Sequence, residues 1–395
     1  PPRPKPRTQY NVPPSTTGPP TAPPAPARAR RHACPTAEWI GRPPDADRLP
    51  GDMLVCSHNV DGAPTELNLQ AYANMLDTLR VDSVGLIDSR VPARNQASIE
   101  IAFMQYNTRM RNITTTAAHK RTAAPIGEIN AVSTALMVAQ TTGTPIHDPR
   151  GWSRYIGYRM QGPQPGPKSK GTLRREVAII FVHGPCKASG VDAPDTPSDK
   201  QWHTQARSMQ KIRNAEREED PRFQFLRDLH NTVDRLAGEG VEIIITGDWN
   251  IPALNTGHDK YRERVAKLFK KDGMMLDVHT ACNRTYKQPA NPIAAATHGT
   301  KATQRHTYHH PGSTGTDDGS RQAAAYTNPD MTIASRSLLT NNIITQCATL
   351  LDYNIAGSGH LPTMFTINLA AAFDTTRSRF ITQQYDRAVP VKPCR

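Results

Sequence analysis

No run of about 18 apolar residues occurs anywhere in this 395-residue chain, so nothing in it reads as a transmembrane helix. The N-terminus lacks the apolar core of a secretory leader. The cysteines, Cys34, Cys56, Cys186, Cys282, Cys347 and Cys394, include no CxxC pair and have no His at finger spacing, which excludes a zinc finger. Without a leader they are expected to be free thiols in a reducing compartment. Residues 1–33 contain no Asp or Glu at all. No internal repeat is visible, and no feature specifies an oligomeric state. The first residue is Pro rather than Met, so the chain is expected to be a segment of a longer protein or a processed product.

What is present is positive charge. Lys and Arg number 48 against 35 Asp and Glu, giving a formal charge of +13 and a pI near 9.6. Such a balance by itself favours a polyanionic partner, either nucleic acid or an anionic membrane surface. Residues 1–33 hold eleven Pro and six Arg or Lys, a composition that cannot bury a core. We expect residues 1–50 to be a disordered, Pro-rich basic tail. It would serve as a nucleic-acid arm, as a localisation signal around Arg28-Ala29-Arg30-Arg31, or as a plain linker. A single folded domain is expected over 51–370 and a polar tail over 371–395.

Within the domain the clearest stretch is Val241–Asn250. Five of its first six residues are β-branched, and Gly247 precedes Asp248. This predicts a buried strand presenting Asp248 and Asn250 at its C-terminal edge, where open α/β folds place their chemistry. Met53–Ser57 and Ser83–Ile87 read as earlier strands, with a helix between them through Leu67, Tyr72, Met75, Leu76 and Leu79. A helix is expected near Ile99–Arg111 and strands at Ala131–Val138 and Glu176–Val182. Leu226, Leu229, Val233 and Leu236 give one apolar helical face, ended by Gly238 and Gly240. A short helix at Tyr261–Lys271, a long polar loop at 283–325, and strands at Asp330–Ala334 and Thr363–Ile367 complete the pattern.

Several of these strands end in polar clusters: Asn59 after the first, Asp88 after the second, His183 after a middle one, Asp248 and Asn250 after the central one. Asp330 and His360 adjoin the last two. Chemistry at a phosphodiester asks for such a set. Asp and Asn oxygens suit a hard divalent cation, which offsets charge developing on phosphoryl oxygen. A His held by a carboxylate moves protons at neutral pH. Each residue taken singly also has an ordinary explanation as a turn, a cap or a hydrogen-bonded side chain.

In order along the chain, Ser57-His58-Asn59-Val60-Asp61-Gly62, Gly85-Leu86-Ile87-Asp88-Ser89-Arg90, Phe181-Val182-His183-Gly184-Pro185 and Thr246-Gly247-Asp248-Trp249-Asn250 resemble motifs of the endonuclease/exonuclease/phosphatase superfamily. Met275–Val278, His306-Thr307-Tyr308, Asn328–Ser335 and Ser358-Gly359-His360-Leu361-Pro362 continue the resemblance, which covers roughly residues 52–370. The Thr-Tyr element is similar to that of non-LTR retroelement endonuclease domains. The resemblance implies a DNase I-like four-layered α/β/β/α sandwich with two packed mixed sheets. It implies a Mg²⁺- or Mn²⁺-dependent endonuclease that nicks DNA, with no membrane partner, located inside the cell, in the nucleus. Carried over by position, Asn59 and Asp88 would approach the metal. Asp248 and Asn250 would orient water and hold the phosphate. His360, partnered by Asp330, would contact phosphate or transfer a proton. His183 would stand near the leaving oxygen, and Tyr308 and Arg90 would contact substrate.

Two departures stand out. Asp88 replaces the usual Glu, and Gly359 replaces the acid of the family's Ser-Asp-His motif. The loss of that carboxylate makes a catalytically weakened nucleic-acid-binding protein the alternative, with a small-phosphoester phosphatase as a third reading.

Overall fold

The computed structural model describes residues 39–44, 51–61, 66–89, 97, 101, 105, 110–116, 128–133, 141–162, 175–186, 197–213, 220–250, 260–270, 275–283, 308–309, 326–327, 329–350 and 359–373. All of them belong to one compact unit, Ala33–Arg395.

Two large sheets form its centre. The first has seven strands, taken here in spatial order: β1 (Trp39–Arg42), β14 (Ile344–Leu350), β15 (Thr363–Asn368), β2 (Asp52–Asn59), β3 (Ser83–Ile87), β5 (Glu128–Ser133) and β4 (Met110–Thr116). The second has six: β10 (Met275–Asp277), β13 (Asp330–Ser335), β9 (Val241–Asp248), β8 (Glu176–His183), β7 (Tyr155–Gln161) and β6 (Thr141–His147). Both sheets are mixed, because β2–β3 and β8–β9 pair parallel and the other pairs are antiparallel.

Helix α1 (Glu66–Thr78) follows β2, and α2 (Pro197–Arg213) and α3 (Pro221–Gly238) form the crossover from β8 to β9. Pro221 opens α3 instead of breaking a longer helix. It stands at the first turn, where a missing N–H costs nothing, and the Asp220 carboxylate accepts from the Arg222 N–H at 2.9 Å.

Alternation along the central strands decides the layers. Val177, Ile179 and Phe181 of β8 face the other sheet and pack with Met53, Val55, Ile87, Phe365 and Ile367. Ala178, Ile180 and Val182 face outward and pack with Ile243 and Ile245 against Phe225, Leu226, Leu229, Val233 and Leu236 of α3. A strand covered on both faces is apolar on both, which is why Val177–Val182 of β8 and Ile243–Ile245 of β9 read as continuous hydrophobic runs. On the far side of the seven-stranded sheet, Tyr72 of α1 reaches His58. The result is the four-layered α/β/β/α sandwich with two packed mixed sheets. Gly85 sets the spacing between the sheets near one end: a Cβ there would lie 2.1 Å from Phe181 Cδ1.

Several expectations change. Trp39–Arg42 falls inside the stretch expected as a tail, yet it forms edge strand β1 on β14, with Ile40 buried. Met110 and Arg111 belong to β4, although Ile101 and Gln105 are helical, so the expected Ile99–Arg111 helix stops short of them. The strand expected at Ala131–Val138 begins earlier, at Glu128. Strands β6, β7 and β14 have no counterpart in the sequence reading. Gly157 and Arg159 interrupt the apolar signal of β7, and Gln346 and Thr349 that of β14, because neighbouring strands and not side-chain pattern hold them in place. Tyr308–His309 (β11), inside the expected long polar loop, pairs with Tyr326–Thr327 (β12) just beyond its end. Residues 1–33, 163–171 and 374–395 lie outside the described residues.

Candidate active site

Topology gathers the polar strand ends at one edge. Asn59 pairs with Ile87 in the parallel β2–β3 register, which sets Asp88 one residue beyond it. His183 pairs with Asp248 in the parallel β8–β9 register, and Asp248 pairs with Asp330 across antiparallel β9–β13. His360 lies three residues before β15, whose Thr363 pairs with Ser57 of β2.

Three residues leave these strands in the left-handed region: Asp61 at φ 46°, Asp88 at φ 52° and Asn250 at φ 49°. Asp and Asn adopt it more readily than other side chains, and backbone strain of this kind collects at functional sites. Gly247, at φ 135°, turns the chain before Asp248, and a Cβ there would stand 2.3 Å from Val182 O.

The carboxylate of Asp248, 1% exposed, is the focus. Its Oδ2 accepts from Asn59 Nδ2 at 2.8 Å and lies 3.9 Å from His183 Nε2 and 3.8 Å from His360 Nε2. Its Oδ1 accepts from the Asn250 N–H at 2.8 Å, and Asn250 Nδ2 donates to Gly184 O at 2.6 Å. Burial raises the Asp248 pKa, and the Asp330 charge adds to that. The two His side chains and the Asn250 N–H oppose the rise.

His360 Nδ1 stands 2.9 Å from Asp330 Oδ2. Burial works against an imidazolium there, but the carboxylates of Asp330, Asp248 and Asp61 outweigh it and lift the His360 pKa to about 9. His183 donates its main-chain N–H to Arg154 O at 2.8 Å, while its buried Nδ1 has no hydrogen-bond partner among the described residues.

Asn59, His183, Asp248, Asn250, Asp330 and His360 thus come together through direct contacts or register. Asp88 stands beside them as a buried residue at the end of β3. Tyr308 lies in β11, in a sheet separate from the two large ones, and nothing is described of its side chain. Arg90 falls outside the described residues.

The sequence reading overlooked Asp61, whose charge acts on His360, and the pair His58–Tyr72. His58 Nε2 lies 3.0 Å from His360 O, and its Nδ1 lies 3.1 Å from Tyr72 OH. Burial, the largest influence on His58, lowers its pKa to about 4. Alternation along β2 could have turned His58 toward α1, but no sequence pattern reveals what its ring meets there.

The donor set suits a hard divalent cation. Ligand atoms of Asp248, Asp330 and His360 lie within 4.8 Å of one another, and two buried carboxylates side by side favour a cation between them. Among the described residues Cys56, Cys186, Cys282 and Cys347 are free thiols, as expected, and no described helix is long and apolar enough to cross a membrane.

No protein-family model matches the chain, and no curated protein sequence matches it. Solved structures do. The catalytic domain of Xenopus laevis APE2 matches with a TM-score of 0.51 and 14% identity over 80% of this chain and 92% of that one. The AP endonuclease LMAP from Leishmania major matches with a TM-score of 0.51 and 11% identity, covering 86% of this chain and 95% of that one. Layers, register and these likenesses define the fold as the DNase I-like α/β sandwich.

Proposed function

We propose that this chain hydrolyses phosphodiester bonds with a divalent metal, Mg²⁺ or Mn²⁺. Its substrate is DNA, which it nicks as the endonuclease part of a retroelement-type protein acting in the nucleus. The observation that carries the reading is the convergence on Asp248: Asn59 at 2.8 Å, the His360–Asp330 pair, His183 and Asn250 surround one buried carboxylate at a strand edge. The likeness to two structures named for AP endonuclease or APE2 catalytic domains, and the formal charge of +13, support a nucleic-acid substrate.

Asn59 and Asp88 would hold the metal, with the neighbouring Asp330 carboxylate adding negative charge to the site. When bound, the metal polarises a phosphoryl oxygen and neutralises charge that develops on it. Asp248, fixed by Asn59 and Asn250, orients a water and accepts its proton as the water oxygen bonds to phosphorus. His360 Nε2, held as a cation by Asp330, meets a non-bridging phosphate oxygen. His183 stands where the leaving oxygen departs. Arg90 and Tyr308 would contact the strand, and the basic stretch 1–33 would add sequence-independent affinity.

A second reading rests on Gly359, buried beside His360, where the resembled motif carries an acid. A site short of one carboxylate would bind DNA and cleave it poorly. Nicking of supercoiled plasmid in Mg²⁺, Mn²⁺ and EDTA, with Asp248→Ala beside the parent, tests both. Metal-dependent cleavage lost in the variant is the expected result. Undiminished cleavage by Asp248→Ala would sink the assignment, and salt-sensitive binding without cleavage would favour the second reading.

A further inference from the structure

We infer that His58 is a positioning residue for His360: its imidazole, set by Tyr72, anchors the His360 main chain so that the ring is aimed at the Asp248 carboxylate. The inference rests on His360 being the phosphate-facing group proposed above.

Alternation along β2 sends Met53 and Val55 into the space between the sheets and His58 to the opposite face, beneath α1. His58 is 1% exposed and Tyr72 fully buried, with the ring centroids 5.6 Å apart. A main-chain carbonyl only accepts, so the 3.0 Å contact with His360 O places the His58 proton on Nε2. A neutral ring then offers its Nδ1 lone pair, and the Tyr72 hydroxyl 3.1 Å away donates to it. Each ring nitrogen has one partner of the right sense, and the tautomer follows from the contacts alone.

His360 is therefore tied at two points, its carbonyl to His58 and its Nδ1 to Asp330, which leaves Nε2 directed at Asp248 Oδ2 at 3.8 Å. Two tethers on one residue remove the backbone freedom that would otherwise let the ring swing away. An apolar side chain at position 58 would satisfy burial beneath α1 without desolvating an imidazole. What the histidine adds is the hydrogen bond.

The test compares His58→Leu, His58→Gln and Tyr72→Phe with the parent as full chains. Gln carries an N–H near the place of Nε2 and serves as the rescue. Plasmid nicking in Mg²⁺ gives kcat and KM. NMR of histidine-labelled protein in EDTA gives the slowly exchanging Nδ1 proton of His360 bound to Asp330, a readout that does not need activity. We expect His58→Leu to lower kcat about 10- to 100-fold with KM nearly unchanged. The His360 resonance should be lost or broadened in that variant, and both effects should be reversed largely in His58→Gln. Tyr72→Phe should show a smaller change in the same direction, and it decides the matter if His58→Leu does not fold. A Leu variant with parental kcat and an intact resonance would overturn the inference. So would a Gln variant impaired as badly as Leu, which would make the ring's shape, not its hydrogen bond, the requirement. If the parent does not nick DNA, the hydrolytic reading fails while the resonance still decides the positioning role.

Discussion

Asp248 and Asp330 stand directly opposite one another on neighbouring antiparallel strands, two buried carboxylates in register, with His360 reaching both. Like charges across a strand pair destabilise a sheet unless a cation lies between them. Here the cation is the imidazolium of His360, and a metal could share the task. The pairing therefore ties protonation, metal affinity and stability to one feature of the fold.

Asp330→Asn removes the charge that keeps His360 protonated while preserving the shape of the pair. The His360 pKa should fall from about 9, because burial then acts against the charges of Asp248 and Asp61 alone. At neutral pH the nicking rate should drop by roughly 100-fold or more, the scale of a lost general acid or charge partner. NMR titration of His360 in EDTA and plasmid nicking check the two halves separately.

Stability of the metal-free protein should peak near neutral pH, with two His residues shaping the sides. The folded pKa of His360 is raised to about 9. Its contribution is thus complete below the ordinary value near 6.5 and is lost as pH climbs through about 9. His58 is lowered to about 4, so the unfolded chain binds its proton first and stability declines as pH falls from about 6.5 toward 4. Melting temperature against pH in EDTA should lose the alkaline slope in His360→Gln and part of the acid slope in His58→Gln.

Gly85→Ala should destabilise the domain by about 1–3 kcal/mol, the usual cost of overpacking. The new Cβ would stand 2.1 Å from Phe181 Cδ1, between two sheets that cannot easily part. Combining it with Phe181→Leu should recover part of the loss in urea unfolding. An additive double mutant would show that the two residues do not meet.

Gly359→Asp should tighten the metal requirement. It returns a carboxylate next to His360, and the Mg²⁺ concentration for half-maximal nicking should fall by about 10-fold. A titration of Mg²⁺ against cleavage rate measures it, and an unchanged midpoint would mean that position 359 does not face the metal.

Much of this was legible in the amino-acid sequence. The run Val241–Thr246, β-branched at every position but Glu242, reads as a strand covered on both faces, and the apolar stripe Leu226–Leu229–Val233–Leu236 as the helix face that covers it. The Asp, Asn and His residues after these strands marked one edge as chemical before any contact was known. Less legible were β1, β6, β7 and β14, whose residues become strand through partners distant in sequence: Trp39–Arg42 pairs with residues some 300 positions away. Local pattern carries no trace of such a partner.

The sequence by itself determined which residues could do the chemistry, because residue type and period-two alternation are local properties of the chain. Tertiary structure alone decided who meets whom. That Asp248 faces Asp330 depends on the β9–β13 register, and that Asn59 reaches Asp248 depends on two sheets closing at Gly85 and Phe181. His58 looked like one letter of a motif; the packing of α1 on β2 supplied its hydroxyl partner and the strand order supplied its carbonyl. Contacts between residues hundreds of positions apart are set by how whole layers pack, and no short stretch of chain encodes that distance.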